Sequence, residues 1–241
     1  RDSIMAALAA GKHVLCEKAI TTSGDELAEE LALAKEKGLV LEEAMTIYNM
    51  PLYHRLKEIV ASGKLGKLKM IQAPFGSYKD PDPQNRFFNP DLGGGALLDI
   101  GTYAVSFARF FMSESPKVEF SSMKPFETGV DEQSVTILRN PADEMASVTL
   151  TFQAKMPKTG IVAFEEGYIT VEEYPRADKA TIHYRDGSNE FIETGDTTQA
   201  LNYEIANMIK TIEGTSKGSI HLTSDVIAVL DQMQQFWKQT K

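Results

Sequence analysis

The chain is poor in cysteine, in clustered positive charge and in long apolar runs, and each shortage removes a class of function. Its 241 residues hold one cysteine, Cys16, so no disulfide can close within the chain, and no Cys/His spacing matches a zinc site. This composition fits a reducing compartment, and a cytoplasmic location is expected. Lys and Arg number 25 against 34 Asp and Glu, a formal net charge of -9, and no segment concentrates the basic residues. Neither a nucleic-acid groove nor an anionic membrane surface is therefore an expected partner. No apolar stretch is long enough to cross a bilayer and no signal-peptide pattern is present. The four histidines, His13, His54, His183 and His221, lack second ligands at metal spacing and read as structural, with His13 and His221 at strand edges or in loops. Cys16, whose charged neighbour is Glu17, reads as a small core residue. Small molecules and other proteins remain as partners.

What is present reads as two styles of sequence. Residues 1–10 have helical spacing, with Ile4, Met5 and Leu8 on one side and Gly11 as the stop. A short strand follows over His13 to Cys16, then a helix over Thr21 to Lys37 with Ser23 and Glu26 as a capping box, then a strand in "LVLEEAM". A strand, helix, strand unit of this kind predicts a parallel pair with a right-handed crossover. Two such strands cannot fill a doubly wound sheet, so this part is expected to be the C-terminal remnant of a Rossmann-like parallel sheet.

After Pro51 and a helix over Tyr53 to Gly63, strand patterns dominate from Lys67 onward, separated by turn residues, and two helices close the chain at Leu201 to Glu213 and Ser224 to Lys241. The predicted class is α/β plus α+β. Residues 1–48 form the remnant and residues 49–241 an open-faced, largely antiparallel sheet with helices on one face. Apolar residues in "ASVTLTF" and "GIVAF" are expected on the open face, which predicts a homodimer or tetramer packed sheet to sheet.

The segment "LGGGALLDIGTY", Leu92 to Tyr103, sets three glycines before an apolar helical run, with Asp99 and Tyr103 spaced i, i+4 on one face. A carboxylate there is costly unless paired or hydrogen-bonded. On these residues alone two readings stand. The glycines make a turn and Asp99 satisfies a nearby backbone group, or the glycines admit another backbone or a ligand at the helix N-terminus.

The motifs "GKHVLCEKA" and "GGGALLDIGTY", in this order, resemble those of the glucose-fructose oxidoreductase and inositol dehydrogenase (GFO/IDH/MocA) family of NAD(P)-dependent enzymes, from Arg1 to about Met112. The family's first motif usually ends Glu-Lys-Pro, where Glu17, Lys18 and Ala19 stand here. Its second usually reads Asp, three residues, His, and Tyr103 in the last place resembles the branch holding dihydrodiol and xylose dehydrogenases.

The resemblance implies a hydride transfer between NAD or NADP and a sugar, a polyol or a related hydroxy or carbonyl compound. Such a transfer needs an acid/base at the substrate oxygen. The resemblance implies that Tyr103 fills this role, with the Lys18 ammonium favouring its phenolate and orienting the ribose and the carbonyl. Asp99 then binds and orients the substrate, Glu17 and Lys18 lie at the nicotinamide, and Arg86 is a further candidate for a substrate hydroxyl or acid group. No Gly-x-Gly-x-x-Gly follows a strand in these residues. The chain is thus expected to be a fragment of a longer oxidoreductase, with no cofactor bound to it alone. The alternative is a sugar-binding or regulatory protein that uses the same fold without turnover.

Overall fold

A computed structural model describes residues 1–239, so Thr240 and Lys241, at the end of the expected last helix, lie outside the described residues. The chain begins with α1 (Asp2–Ala9), β1 (Val14–Glu17), α2 (Gly24–Glu36) and β2 (Leu41–Ala44). β1 and β2 pair in parallel, Val14 opposite Leu41 and Glu17 opposite Ala44, as the strand, helix, strand pattern predicts. The capping box does not form. Ser23 stands at the N-cap of α2 but its side chain makes no cap bond. Thr21 Oγ1 instead donates to Glu26 Oε2 at 2.7 Å, and the Gly24 N–H donates to Asp231 Oδ2 at 2.9 Å. A carboxylate from the far end of the chain thus takes a free N–H of the first turn, one that the local motif would not have reached.

Two short helices, α3 (Thr46–Asn49) and α4 (Pro51–Ala61), lead to the large sheet. Pro51 at the start of α4 has no N–H to leave unpaired and its fixed φ suits a first helical position. The remaining elements are β3 (Leu68–Gly76), a π turn (Leu97–Gly101) that runs into α5 (Thr102–Phe111), β4 (Lys117–Pro125), β5 (Asp131–Arg139) and β6 (Met145–Thr151). They continue with β7 (Gly160–Phe164), β8 (Gly167–Val171), β9 (Lys179–Tyr184), β10 (Asn189–Glu193), α6 (Ala200–Ile212) and α7 (Ile220–Gln239). The eight strands β3 to β10 lie in the order β10-β9-β8-β7-β3-β6-β5-β4. Neighbours are antiparallel except β3 and β6, which run parallel because the chain between them leaves the sheet through α5 and returns by the β4–β5 hairpin.

One face of this sheet is closed by α5 and α7, with Leu138, Val148, Leu150, Val162, Ile169 and Ile182 buried beside Phe107, Val229 and Leu230. Trp237 of α7 fastens its indole N–H to Ser121 Oγ on β4 at 2.8 Å. The other face is open and exposes Met70, Phe120, Val135, Tyr168 and Phe191. The sequence expectation for this face needs correction. In "ASVTLTF" and "GIVAF" the residues Val148, Leu150, Phe152, Val162 and Phe164 turn to the buried side, and only Ile161 and Ala163 of the apolar set remain half-exposed.

α7 starts ahead of the expected Ser224. Glu42 of β2, itself buried, accepts from both the N–H and the Oγ of Ser219 at 3.0 Å, just ahead of the first residue of α7. His221, expected at a strand edge or in a loop, consequently lies in the first turn of α7. His13 accepts a hydrogen bond from the Val40 N–H through Nδ1 at 2.9 Å. Among the described residues no helix is long and apolar enough to cross a membrane, and no group of three or more His, Cys, Asp and Glu is placed to hold a metal ion.

Candidate functional site

The glycine run is shaped by what presses against it. Gly93 and Gly95 have φ of +68° and +117°, where L side chains are strained. A Cβ on Gly95 would collide with the carboxylate of Asp131, the first residue of β5, whose Oδ2 accepts the Leu97 N–H at 2.7 Å. Both readings of the glycines therefore hold in part: the run is a turn, and it also admits a close approach, by a side chain of this chain itself. Beyond it the expected α-helix opens as a π turn over Leu97–Gly101 before α5 takes up α geometry at Thr102.

This turn delivers Asp99 and Tyr103 to Lys18, which β1 carries just past its carboxyl end. Lys18 Nζ donates to the Asp99 carbonyl oxygen at 2.6 Å, lies 3.7 Å from Asp99 Oδ1 and stands 4.9 Å from the centroid of the Tyr103 ring. Arg86 Nη2 approaches the same oxygen, Asp99 Oδ1, at 3.5 Å. Lys18 and Asp99 keep only 16% and 21% of their side chains exposed, whereas Arg86 keeps 66%, so the lysine–carboxylate contact is sheltered and the arginine contact is open to solvent screening. Glu17, on the exposed end of β1, lies near enough for its charge to act on Tyr103. A hollow of about 220 Å³ opens between Lys18, Thr22, Arg86, Gly93 to Gly95 and Asp99.

The loop that holds Lys18 has a cis peptide between Lys18 and Ala19. Its next residue is tied down: the Ile20 N–H donates to Glu43 Oε1 at 3.0 Å, while Thr223 Oγ1 of α7 donates to Glu43 Oε2 at 2.9 Å. Glu43 is thus a buried link between the lysine loop and the last helix.

Electrostatics correct one expectation. The Lys18 ammonium lies over the ring of Tyr103, and burial is the largest influence on the phenol, pushing its pKa above the usual value where the phenolate was expected to be favoured. Arg176 opposes this shift, while the charges of Glu17, Asp99 and Glu204 add to it. Tyr103 therefore keeps its proton at neutral pH. Burial likewise lowers the pKa of Lys18, partly offset by Asp99. Arg176, Glu204, Glu43 and Asp131 were not singled out from the sequence. The one local hint is at Asp131, an acid at the first position of an alternating strand.

The carboxyl ends of parallel strands, where Lys18 stands, are where open α/β sheets receive ligands. The residues present suit the nicotinamide end of a dinucleotide, since a cation and a phenol line one sheltered corner. The glycine-rich turn that would hold a pyrophosphate does not occur in the sequence.

The GFO/IDH/MocA model for the oxidoreductase family's NAD-binding Rossmann fold matches residues 1–45, and the GFO/IDH/MocA C-terminal domain matches residues 53–170. Among curated relatives, trans-1,2-dihydrobenzene-1,2-diol dehydrogenase of Xenopus tropicalis is 33% identical over 174 residues, which are 71% of this chain and 52% of the relative. D-xylose 1-dehydrogenase (NADP(+)) 2 of Haloferax volcanii is 30% identical over 216 residues, 88% of this chain and 66% of the relative. The chain thus spans about half to two thirds of the length of these relatives. Among solved structures, aldose-aldose oxidoreductase from Caulobacter crescentus with glycerol superposes at a TM-score of 0.87 and 18% identity, over 100% of this chain and 74% of that one. Levoglucosan dehydrogenase with NADH and levoglucosan superposes at 0.85 and 21% identity, over 100% and 75%. These two likenesses concern the fold alone.

Proposed function

Since the chain belongs to the GFO/IDH/MocA oxidoreductase family, we propose that it carries the catalytic lysine and the substrate-binding part of an NAD(P)-dependent dehydrogenase or reductase. The substrate in this reading is a sugar, a polyol or a related hydroxy or carbonyl compound. The observation that carries the reading is the convergence of Lys18, from the loop after β1, with Asp99 of the π turn and Tyr103 of α5 on one sheltered point.

A bound nicotinamide supplies or accepts the hydride. Lys18 would hold its ribose side and polarise the substrate oxygen, since its ammonium is fixed by the Asp99 carbonyl. Asp99, as an acceptor, takes hydrogen bonds from substrate hydroxyls, and Arg86 can turn from Asp99 to an acidic or hydroxyl group of the substrate. Tyr103, protonated at neutral pH, donates its proton to the oxygen of a carbonyl substrate as the carbon is reduced. In the oxidation direction it must first lose that proton, so oxidation gains with rising pH.

In this reading residues 1–48 face the cofactor and residues 49–241 the substrate, in a cytoplasmic enzyme. Binding of NAD or NADP by this chain alone is weak, because contacts at the nicotinamide end must offset the lost freedom of the whole cofactor. The open sheet face, with Phe120, Val135, Tyr168 and Phe191 exposed, would pair copies into a homodimer or tetramer.

The test is Tyr103→Phe in the cofactor-competent enzyme. Turnover is expected to fall by about 10²-fold or more while the Kd for the cofactor stays near that of the parent. Parental turnover by this variant would remove Tyr103 from the role.

A further inference from the structure

Asp131 has a position that the proposed chemistry does not use. It begins β5 on the large sheet, its side chain is buried, and it reaches out of the sheet to the glycine turn. Two features fix it there. Its Oδ2 accepts the Leu97 N–H at 2.7 Å, and the missing side chain of Gly95 is the space that its carboxylate occupies. Leu97 is the first residue of the π turn and Asp99 lies two residues on, with its carbonyl oxygen under Lys18 Nζ.

We infer that Asp131 is the positioning residue of this site: its carboxylate, wedged behind Gly95 and bonded to Leu97, sets the π turn at the place where Asp99 meets Lys18. The inference rests on the reading of Lys18 and Asp99 as substrate-facing residues, and it adds the group that holds them in register. A free N–H at a helical start is otherwise left to water or to a flexible local cap. Here it is anchored to the strand ladder, since Asp131 pairs across β4 with Pro125 and its neighbour Gln133 pairs with Thr151 of β6. The turn is thereby fixed relative to the sheet and not merely closed upon itself. Gly95 is the complement of this device, because a side chain there would expel the carboxylate.

The surroundings of Asp131 make the contact readable by titration. Burial pushes its pKa up to about 7, opposed only by hydrogen bonds from the backbone at Leu97 and at Asp131 itself. The adjacent charged residues, Glu132 on β5 and Lys124 on β4, pair with each other, and Gln153 also donates to Glu132. Asp99, on the turn that Asp131 caps, is engaged with Lys18 and Arg86.

The experiment is NMR on the full chain, following the Asp131 carboxyl carbon, the Leu97 amide and the Lys18 ammonium through pH 5 to 9, with amide exchange measured beside them. In the parent the Leu97 amide and Lys18 signals are expected to move with the apparent pKa of the Asp131 carboxyl. In Asp131→Ala the amides of Leu97 to Asp99 are expected to exchange about 10- to 100-fold faster, while Val148 in the sheet is unchanged. Asp131→Asn, which keeps the shape and an acceptor, is expected to restore slow exchange and to abolish the titration. The inference is overturned if Leu97 and Lys18 ignore the carboxyl titration in the parent, a result available even if Asp131→Ala does not fold. It is equally overturned if Asp131→Asn loosens the sheet as much as the turn, since Asp131 would then be a fold residue only. These readouts do not involve turnover, so a failure of the proposed reaction would show in Tyr103→Phe and leave them untouched.

Discussion

The two sides of the site are held by different forces. The Lys18 side is a short loop tethered by polar links: Ile20 to Glu43, Glu43 to Thr223, and Gly24 to Asp231. The Tyr103 side is a helix pressed onto a sheet, with Phe107 and Val105 buried, Phe75 beside the Tyr103 ring at 6.3 Å between centroids, and Gly101 against Leu150. Hydrogen bonds are directional and cost much when one partner is lost. Packing is diffuse, so a small misfit can be shared among neighbours. The lysine loop should therefore respond sharply to single polar changes and the tyrosine helix gradually to changes of volume.

The largest expected effect removes the group where the two sides meet. Lys18→Met keeps the length of the side chain and deletes the ammonium, so turnover is expected to drop by about 10³-fold and cofactor affinity to weaken with it. Steady-state kinetics with direct cofactor titration checks both. An intact affinity would show that Lys18 serves the substrate alone.

The next effect is the response of stability to pH. Asp131, Glu42, Glu43 and Glu204 are all pushed by burial above their ordinary pKa, Asp131 to about 7. The folded chain then holds more protons than the unfolded chain between about pH 4 and 7, so this contribution is full below about pH 4 and is lost as the pH rises through the folded values. Tm is expected to fall across that window, by an amount worth up to a few kcal/mol at pH 8, and Asp131→Asn should flatten part of the slope. A Tm that climbs from pH 5 to 8 contradicts this.

A step smaller, Glu43→Ala leaves the Ile20 N–H and the Thr223 hydroxyl without their acceptor. A loss of about 2 kcal/mol in denaturant unfolding is expected, with the lysine loop exchanging fastest. Least of all, Gly101→Ala puts a methyl 2.7 Å from Leu150 Cδ1, an end that can swing aside. The overpacking of about 1 kcal/mol or more is offset by the better helix propensity of alanine, so a net change within about 1 kcal/mol is expected. If Gly101→Ala proves more damaging than Glu43→Ala, the contrast between the two sides is wrong.

The same contrast explains what the sequence could and could not reveal. Strand and helix positions follow from spacing, because alternation along β5 or β6 and the stops at Gly11 and Gly38 are local facts. Lys18, Asp99 and Tyr103, which the fold brings together, were singled out through their motifs. Hidden were the long-range carboxylates, since Asp131 on Leu97, Glu42 on Ser219 and Asp231 on Gly24 each cap an element distant in sequence. Those three contacts stand at the starts of the π turn, of α7 and of α2. The upward shift at Tyr103 was hidden for a related reason, because its largest cause is burial, which only the fold shows.

The parallel pairing of β3 with β6 has a consequence for how the chain assembles. Everything between Gly76 and Met145, including the glycine turn, α5 and the β4–β5 hairpin, is an excursion between two strands that end side by side at the centre of the sheet. Contacts across so wide a span form slowly, because the chain loses its freedom before the ladder rewards it. The hairpin can zip early on its own. The contact of Asp131 with Leu97 lies within the excursion and can follow the hairpin, whereas Lys18 and Asp99 stand 81 residues apart in sequence, so their meeting is expected to be among the last contacts to become native.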